Sequence, residues 1–365
     1  MLSTNPVFRD DANNITGIYC YEICKSILNN PLALIPSINN TGLNEYALIM
    51  VNRLTRFRNP PAHAAARQAA TAMFQCAKPY PVSEIVKELL ASNNNSRQIN
   101  WVDVVCKQLP VLVLLKGLEF SEIDCKMLTD RIERFVKIMQ PNKTAAQITG
   151  INEAATDIYQ IIERHILSSP ALSRALNTLL PDDNLNMDEL LALCVSNLTG
   201  LMTQSYDACR GLLSNAMLQM LHYGTSFRNI VNDSSNFKKF VVESLRYDPP
   251  VQNTRRIAAD DIILENCKIR KGEMLLLVLA AANRDESHFS NPNTFDIDRI
   301  NNTDYLTFGT GSHACLAADY AIRMTMDAMH CFFDQYPNAK LYSTHIQYEA
   351  VVNGRLPKDL IISLV

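Results

Sequence analysis

The feature that most limits how this chain can fold is a helical stretch over residues 186–220. Asn186 and Glu189 stand at capping-box spacing, which starts a helix, and the pattern carries on to about Met220. At ~1.5 Å per residue such a helix is on the order of 50 Å long, enough to cross a whole domain. Helical spacing recurs over residues 21–29, from Pro60-Pro61 onward, and over 99–118 (with a break expected at Pro110), 125–140, 145–167 and 236–247. Short strands are expected at 6–8, at 15–19, at 262–264, at 274–279 and in the tail after Gln335. Residues 32–58 are mixed and carry no clear period. The fold class is therefore mainly α with a small β-rich lobe.

The chain has 365 residues, 47% hydrophobic and 19% charged, ample for a large core. Length alone suggests two domains. The net charge is −3, from 34 basic and 37 acidic residues, and no long basic run occurs, so nucleic acid is not expected as a partner. The 10 cysteines are scattered with no C-x-x-C pair and no zinc spacing, which suits a reducing cytosol. The polar, acid-bearing N-terminus is no signal peptide, and the longest apolar run, residues 109–115, is far short of a span. A cytoplasmic protein without membrane attachment is expected.

The chemistry concentrates in residues 308–317, F-G-T-G-S-H-A-C-L-A. Cys315 follows a glycine-rich turn and precedes an alanine-rich helical run, so its thiolate would sit near open backbone N–H groups and the positive end of a helix dipole. Gly309 and Gly311 let backbone pass close to something flat or bulky. Two other readings compete. A buried cysteine often serves as a small hydrophobe. Gly309, Gly311 and Ala314 also spell G-x-G-x-x-A after a strand-like 305–308 and before a helix, with Asp327 at dinucleotide distance. That reading leaves no room for the remaining β-α units of such a domain.

Phe308, Gly311 and Cys315 reproduce F-x-x-G-x-x-x-C, and here the chain resembles the cytochrome P-450 superfamily, soluble bacterial type. In that family the cysteine thiolate is the axial ligand of haem iron and pushes electron density toward O–O cleavage. Ala317 replaces the family's usual glycine. Pro60-Pro61-Ala62-His63 to Arg67 is similar to P-P-x-H-x-x-x-R, which implies that His63 and Arg67 bind a haem propionate. Arg256, with Arg255 as a substitute, and His313 match further propionate contacts. Glu243 and Arg246 resemble the family's E-x-x-R, completed by Arg299, three residues that pin the haem loop rather than do chemistry.

Residues 199–204 resemble the oxygen-activation segment. Gly200 would open space beside the haem, and the Thr203 hydroxyl would hold water or oxygen for proton delivery. The acid that precedes the threonine in the family is Met202 here. Three routes stay open: protons from another group or an ordered water, a polar group on the substrate, or an atypical reaction such as rearrangement, coupling or peroxide use.

The resemblance runs from about residue 6 to the end, with five motifs in family order. It implies a single haem-thiolate domain over 1–365 with a short or missing N-terminal extension. Heme b (iron protoporphyrin IX) would lie between the central helix and the Cys315 loop, and a small organic substrate would be oxidised with O₂. No flavin or iron–sulfur sequence is present, so electrons would come from a reductase with ferredoxin or flavodoxin. Residues 32–58 would cover the substrate, the alternative being an ordinary long surface loop, and residues 352–354 would tip toward it. A haem-binding accessory protein without turnover is the alternative from another class.

Overall fold

The computed structural model describes residues 7–93, 97–179, 186–223, 227–264 and 267–364. β1 (Val7–Asp10) and β2 (Ile15–Ile18) pair antiparallel, and Asn14, at φ 52°, closes the turn between them. The strand start expected at Pro6 lies outside the described residues. α1 (Tyr21–Leu28) and β3 (Ala33–Leu34) follow. Residues 32–58 are more regular than expected: they hold β3, α2 (Glu45–Val51) and a 3-10 turn at Thr55–Phe57. Asn44 caps α2 by accepting from Ala47 N–H, a start signal that lacks a long apolar period behind it.

α3 (Ala62–Gln75) and α4 (Val82–Ala91) come next. The single helix expected over 99–118 is instead β4 (Gln98–Asn100), a π-helical turn at Val102–Cys106 and α5 (Leu109–Gly117). Pro110 lies in the first turn of α5, where a missing N–H costs nothing, so the break precedes the proline. α6 (Glu122–Phe135), α7 (Ala145–Ser168) and α8 (Pro170–Thr178) lead to α9 (Met187–His222). The expected capping box is present at α9: Glu189 N–H donates to Asn186 Oδ1 (2.9 Å) and Asn186 N–H to Glu189 Oε2 (3.1 Å).

The remaining elements are α10 (Phe227–Val231), α11 (Ser234–Tyr247), β5 (Thr254–Ala258), β6 (Ile262–Leu264), β7 (Cys267–Ile269), β8 (Met274–Leu277), α12 (Leu279–Ala282), α13 (Ala318–Gln335), β9 (Lys340–Leu341) and β10 (Ile361–Ser363). Residues 305–308 form no strand. The dinucleotide reading needs one there, so the structure removes it.

The chain forms two compact units. One comprises Ile35–Pro81 and Gln108–Tyr206. It holds α2, α3, α5 to α8 and the first part of α9. Its core joins Ala66, Ala69 and Met73 of α3 to Leu114, Ile158, Leu198 and Met202, all buried. Each such large side chain contributes ~1.5–3 kcal/mol on burial.

The other unit comprises Met1–Leu34, Val82–Lys107 and Asp207–Val365. It carries a five-stranded sheet in the order β1-β2-β8-β5-β3 and a three-stranded sheet in the order β4-β10-β9. The pair β2–β8 is parallel and its neighbours are antiparallel. Ile18, Leu275 and Leu277 meet Tyr21 and Ile27 of α1 in a buried cluster beneath the sheet. Trp101, fully buried, donates its indole N–H to Leu213 O and sets its ring against Phe332.

Candidate active site

In the second unit the site is built from α11 outward. Arg246 and Glu243 are both fully buried and pair through two bonds of 2.8 and 2.7 Å. Arg299 closes the triad, its Nε 3.5 Å from Glu243 Oε1. A buried carboxylate between two guanidinium groups is stabilised when the remaining donors are used, as all those of Arg246 are, whereas the buried Arg299 Nε makes no hydrogen bond among the described residues. Arg246 donates to Asn283 O, Pro292 O and Thr294 O, and Arg299 to Ser290 O, Asn291 O and Thr294 O.

The network continues to the glycine loop. Asn283, buried, accepts from Leu306 N–H (2.7 Å) and donates to Thr307 Oγ1 (2.9 Å). Thr307 donates to Leu245 O on α11 (2.6 Å). The two residues before Phe308 are thereby tied to the helix that carries Glu243 and Arg246. The sequence analysis did not single out Asn283, because its role depends on groups far apart in the chain.

The loop itself turns tightly. Gly309 and Gly311 have φ of +66° and +71°, the region that side chains resist. Cys315 N–H donates to Phe308 O (2.8 Å) and Ala314 N–H to Gly311 O (3.1 Å). Cys315 is exposed, alone in this among the described cysteines, and α13 begins three residues later. Ala317 stands just before α13 at φ −113°, outside the left-handed region, so its Cβ causes no backbone strain there. Burial first, then the charge at Cys315, pushes the Cys209 thiol up to about 12, which keeps that neighbouring sulfur protonated.

Arg256 is buried on β5, whereas Arg255 is exposed, which favours the former of the two arginines for a cofactor. Its Nη1 donates to Thr254 Oγ1 and Arg255 O. His313 is half-buried in a 3-10 turn at Gly311–His313.

In the first unit, His63 and Arg67 lie on one face of α3, as their spacing predicts. His63 is buried, and burial, with Arg67's charge second, holds its pKa below the ordinary 6.5. On α9, the Thr203 hydroxyl is buried and donates to Thr199 O (3.1 Å) and Gly200 O (3.2 Å). The expectation that Gly200 opens a space needs correction: a Cβ there would meet Leu54 Cδ2 at 2.8 Å, so the room is already taken by Leu54. Met202 is fully buried within the apolar core of this unit.

Comparison with known proteins follows this geometry. The family model described as Cytochrome P450 matches residues 237–336, which hold most of α11, the triad and the Cys315 loop. Cytochrome P450 CYP107DY1 of Priestia megaterium is 30% identical over 313 residues, covering 84% of this chain and 74% of that protein. The chain belongs to the cytochrome P450 family. The biotin biosynthesis cytochrome P450 of Bacillus subtilis is 26% identical, over 85% of this chain and 79% of that one. Among solved structures, P450BioI in complex with hexadec-9Z-enoic acid ligated acyl carrier protein superposes with a TM-score of 0.84 at 23% identity, covering 99% of this chain and 95% of that one.

Cytochrome P450 proteins bind heme b, and the residues of this P450 fit that group. The one exposed thiol among the described cysteines stands at a helix mouth. In the same loop a Cβ at Gly309 would make only an ordinary contact, 3.8 Å from His313 O, so no close protein group crowds that position. Phe308 and Leu316, both half-buried, flank the loop with apolar surface. The chemistry of the cations, histidine and arginine on α3 and arginine on β5, suits carboxylates of the kind propionates present. No helix among the described residues is long and apolar enough to cross a membrane. The P450 is a haem monooxygenase in the general sense of its family.

Proposed function

We propose that this P450 hydroxylates a small organic substrate with O₂ and two electrons supplied by a reductase with a ferredoxin or flavodoxin. The observation that carries the reading is the exposed Cys315 thiol in a glycine turn anchored to α11 through Asn283 and Thr307. Heme b, when bound, supplies a redox-active iron that activates oxygen.

The protein's part is to hold and to position. Cys315 ligates iron as a thiolate, favoured by the open N–H groups ahead of α13. His63, Arg67, Arg256 and His313 take the propionates. Phe308, Gly309 and Ala317 would help to hold the haem. Thr203 would hold a water or oxygen through its hydroxyl, which here donates to the carbonyls of Thr199 and Gly200.

The test is optical. The reduced protein with carbon monoxide should give the absorbance band of thiolate-ligated haem, and Cys315→Ala should abolish it. A band that survives the substitution overturns the ligand assignment.

Met202 favours a second reading, an atypical reaction less dependent on a proton-relaying acid. Its burial in an apolar core supports this, because an aspartate at 202 would bury an unpaired carboxylate rather than serve a relay. Met202→Asp should therefore lower stability without raising coupled product formation. A large rise in coupled product would favour the ordinary monooxygenase route.

A further inference from the structure

Three arginines stand close together ahead of α3. Arg53 donates to Ile49 O (3.3 Å) and Arg58 to Asn52 O (2.9 Å). Arg56, between them in the 3-10 turn Thr55–Phe57, is half-buried. Among the described residues no carboxylate lies within ion-pair distance of it, and no protein group accepts from its guanidinium. Burial alone lowers its pKa, with no acid opposing it. Arginine nonetheless stays charged at neutral pH and presents five donors in a fixed fork.

The turn that carries Arg56 is held firmly. Thr55 donates both its N–H (2.9 Å) and its hydroxyl (2.6 Å) to Asn197 Oδ1 on α9, and Asn197 Nδ2 donates to Arg53 O (3.0 Å). Leu54 fills the place of the missing side chain at Gly200. The turn that carries Arg56 is thereby fixed against Asn197 and Gly200 of α9. Phe57 and Leu201, both partly buried, add apolar surface in the same unit.

We propose that Arg56 is the substrate's anion anchor, and that the substrate is an apolar molecule bearing a carboxylate. This rests on the haem assignment above, in which His63, Arg67, Arg256 and His313 already serve the two propionates and leave Arg56 for another anion. A carboxylate matches one guanidinium fork in charge and shape, whereas a phosphate dianion needs more donors than this apolar setting provides. Arg56 is a specificity-determining residue on this view, and it takes no part in oxygen chemistry.

The experiment uses the haem-loaded protein with dodecanoate and its methyl ester, affinities being measured by calorimetry so that the readout does not depend on the iron's optical signature. The wild type should bind the acid about tenfold or more tightly than the ester. Arg56→Met should bring the two affinities to within about twofold, and Arg56→Lys should restore part of the preference, with haem content and the carbon-monoxide band unchanged in both. Equal affinity of the wild type for acid and ester overturns the proposal, as does an acid preference that persists in Arg56→Met. Loss of haem in Arg56→Met also overturns it, by making Arg56 a propionate ligand. An absent carbon-monoxide band in the wild type, with the acid preference intact, would instead sink the thiolate reading and leave the anchor standing.

Discussion

Gly309 and Gly311 share a left-handed backbone but not a role. At Gly311 a Cβ would stand 2.9 Å from Leu28 O and 3.0 Å from Asn29 Oδ1, while at Gly309 it would make only an ordinary contact, 3.8 Å from His313 O. Gly309→Ala should cost only the left-handed strain, ~1–2 kcal/mol. Gly311→Ala must also displace a backbone carbonyl and should cost about 1–3 kcal/mol more. Urea unfolding of the haem-free protein reads both, and equal losses would contradict the packing argument. His63 adds a pH dependence. Its folded pKa lies below its ordinary 6.5, through burial and then Arg67, so the unfolded chain takes up the proton first. The stability it confers on the haem-free protein is full above 6.5 and declines as pH falls through that value toward the folded pKa. Unfolding midpoints measured across mildly acidic pH should show this decline in the wild type and a shallower one in His63→Gln.

At the scale of elements, α11 and the segment before the Cys315 loop behave as one body. Glu243→Gln leaves Arg246 buried with half its compensation and should destabilise by about 3–5 kcal/mol. Asn283→Ala breaks the bonds to Leu306 and Thr307 and should cost roughly 1–3 kcal/mol while loosening haem retention. Denaturant midpoints and haem content after gel filtration check both, and an Asn283→Ala protein with wild-type haem retention would remove the anchoring role. The E-x-x-R spacing was legible because it lies within one helix, as was the start of α9 at Asn186 and Glu189. The strand β4 was not legible. It exists because Ile99 pairs with Ile362 at the far end of the chain, and helical periodicity in the following residues hid it.

For the whole molecule, haem is part of the stability balance. A cofactor that binds only the folded chain adds about 4 kcal/mol when present at a thousandfold its dissociation constant. The haem-loaded protein should melt well above the haem-free form, and Cys315→Ala should narrow that gap. Calorimetric scans of the four species decide it, and an unchanged gap would place the cofactor's grip elsewhere. The family, the cofactor and the order of the motifs were determined by sequence alone. Their residues are neighbours along the chain, where turn, cap and helix spacing act locally. Which arginines are paired inside the protein, and whether position 202 lies in an apolar core, only the tertiary structure decided. Those properties depend on what burial and long-range pairing bring beside each side chain, as Asn197 meets Thr55 across 142 positions, and no local pattern records that.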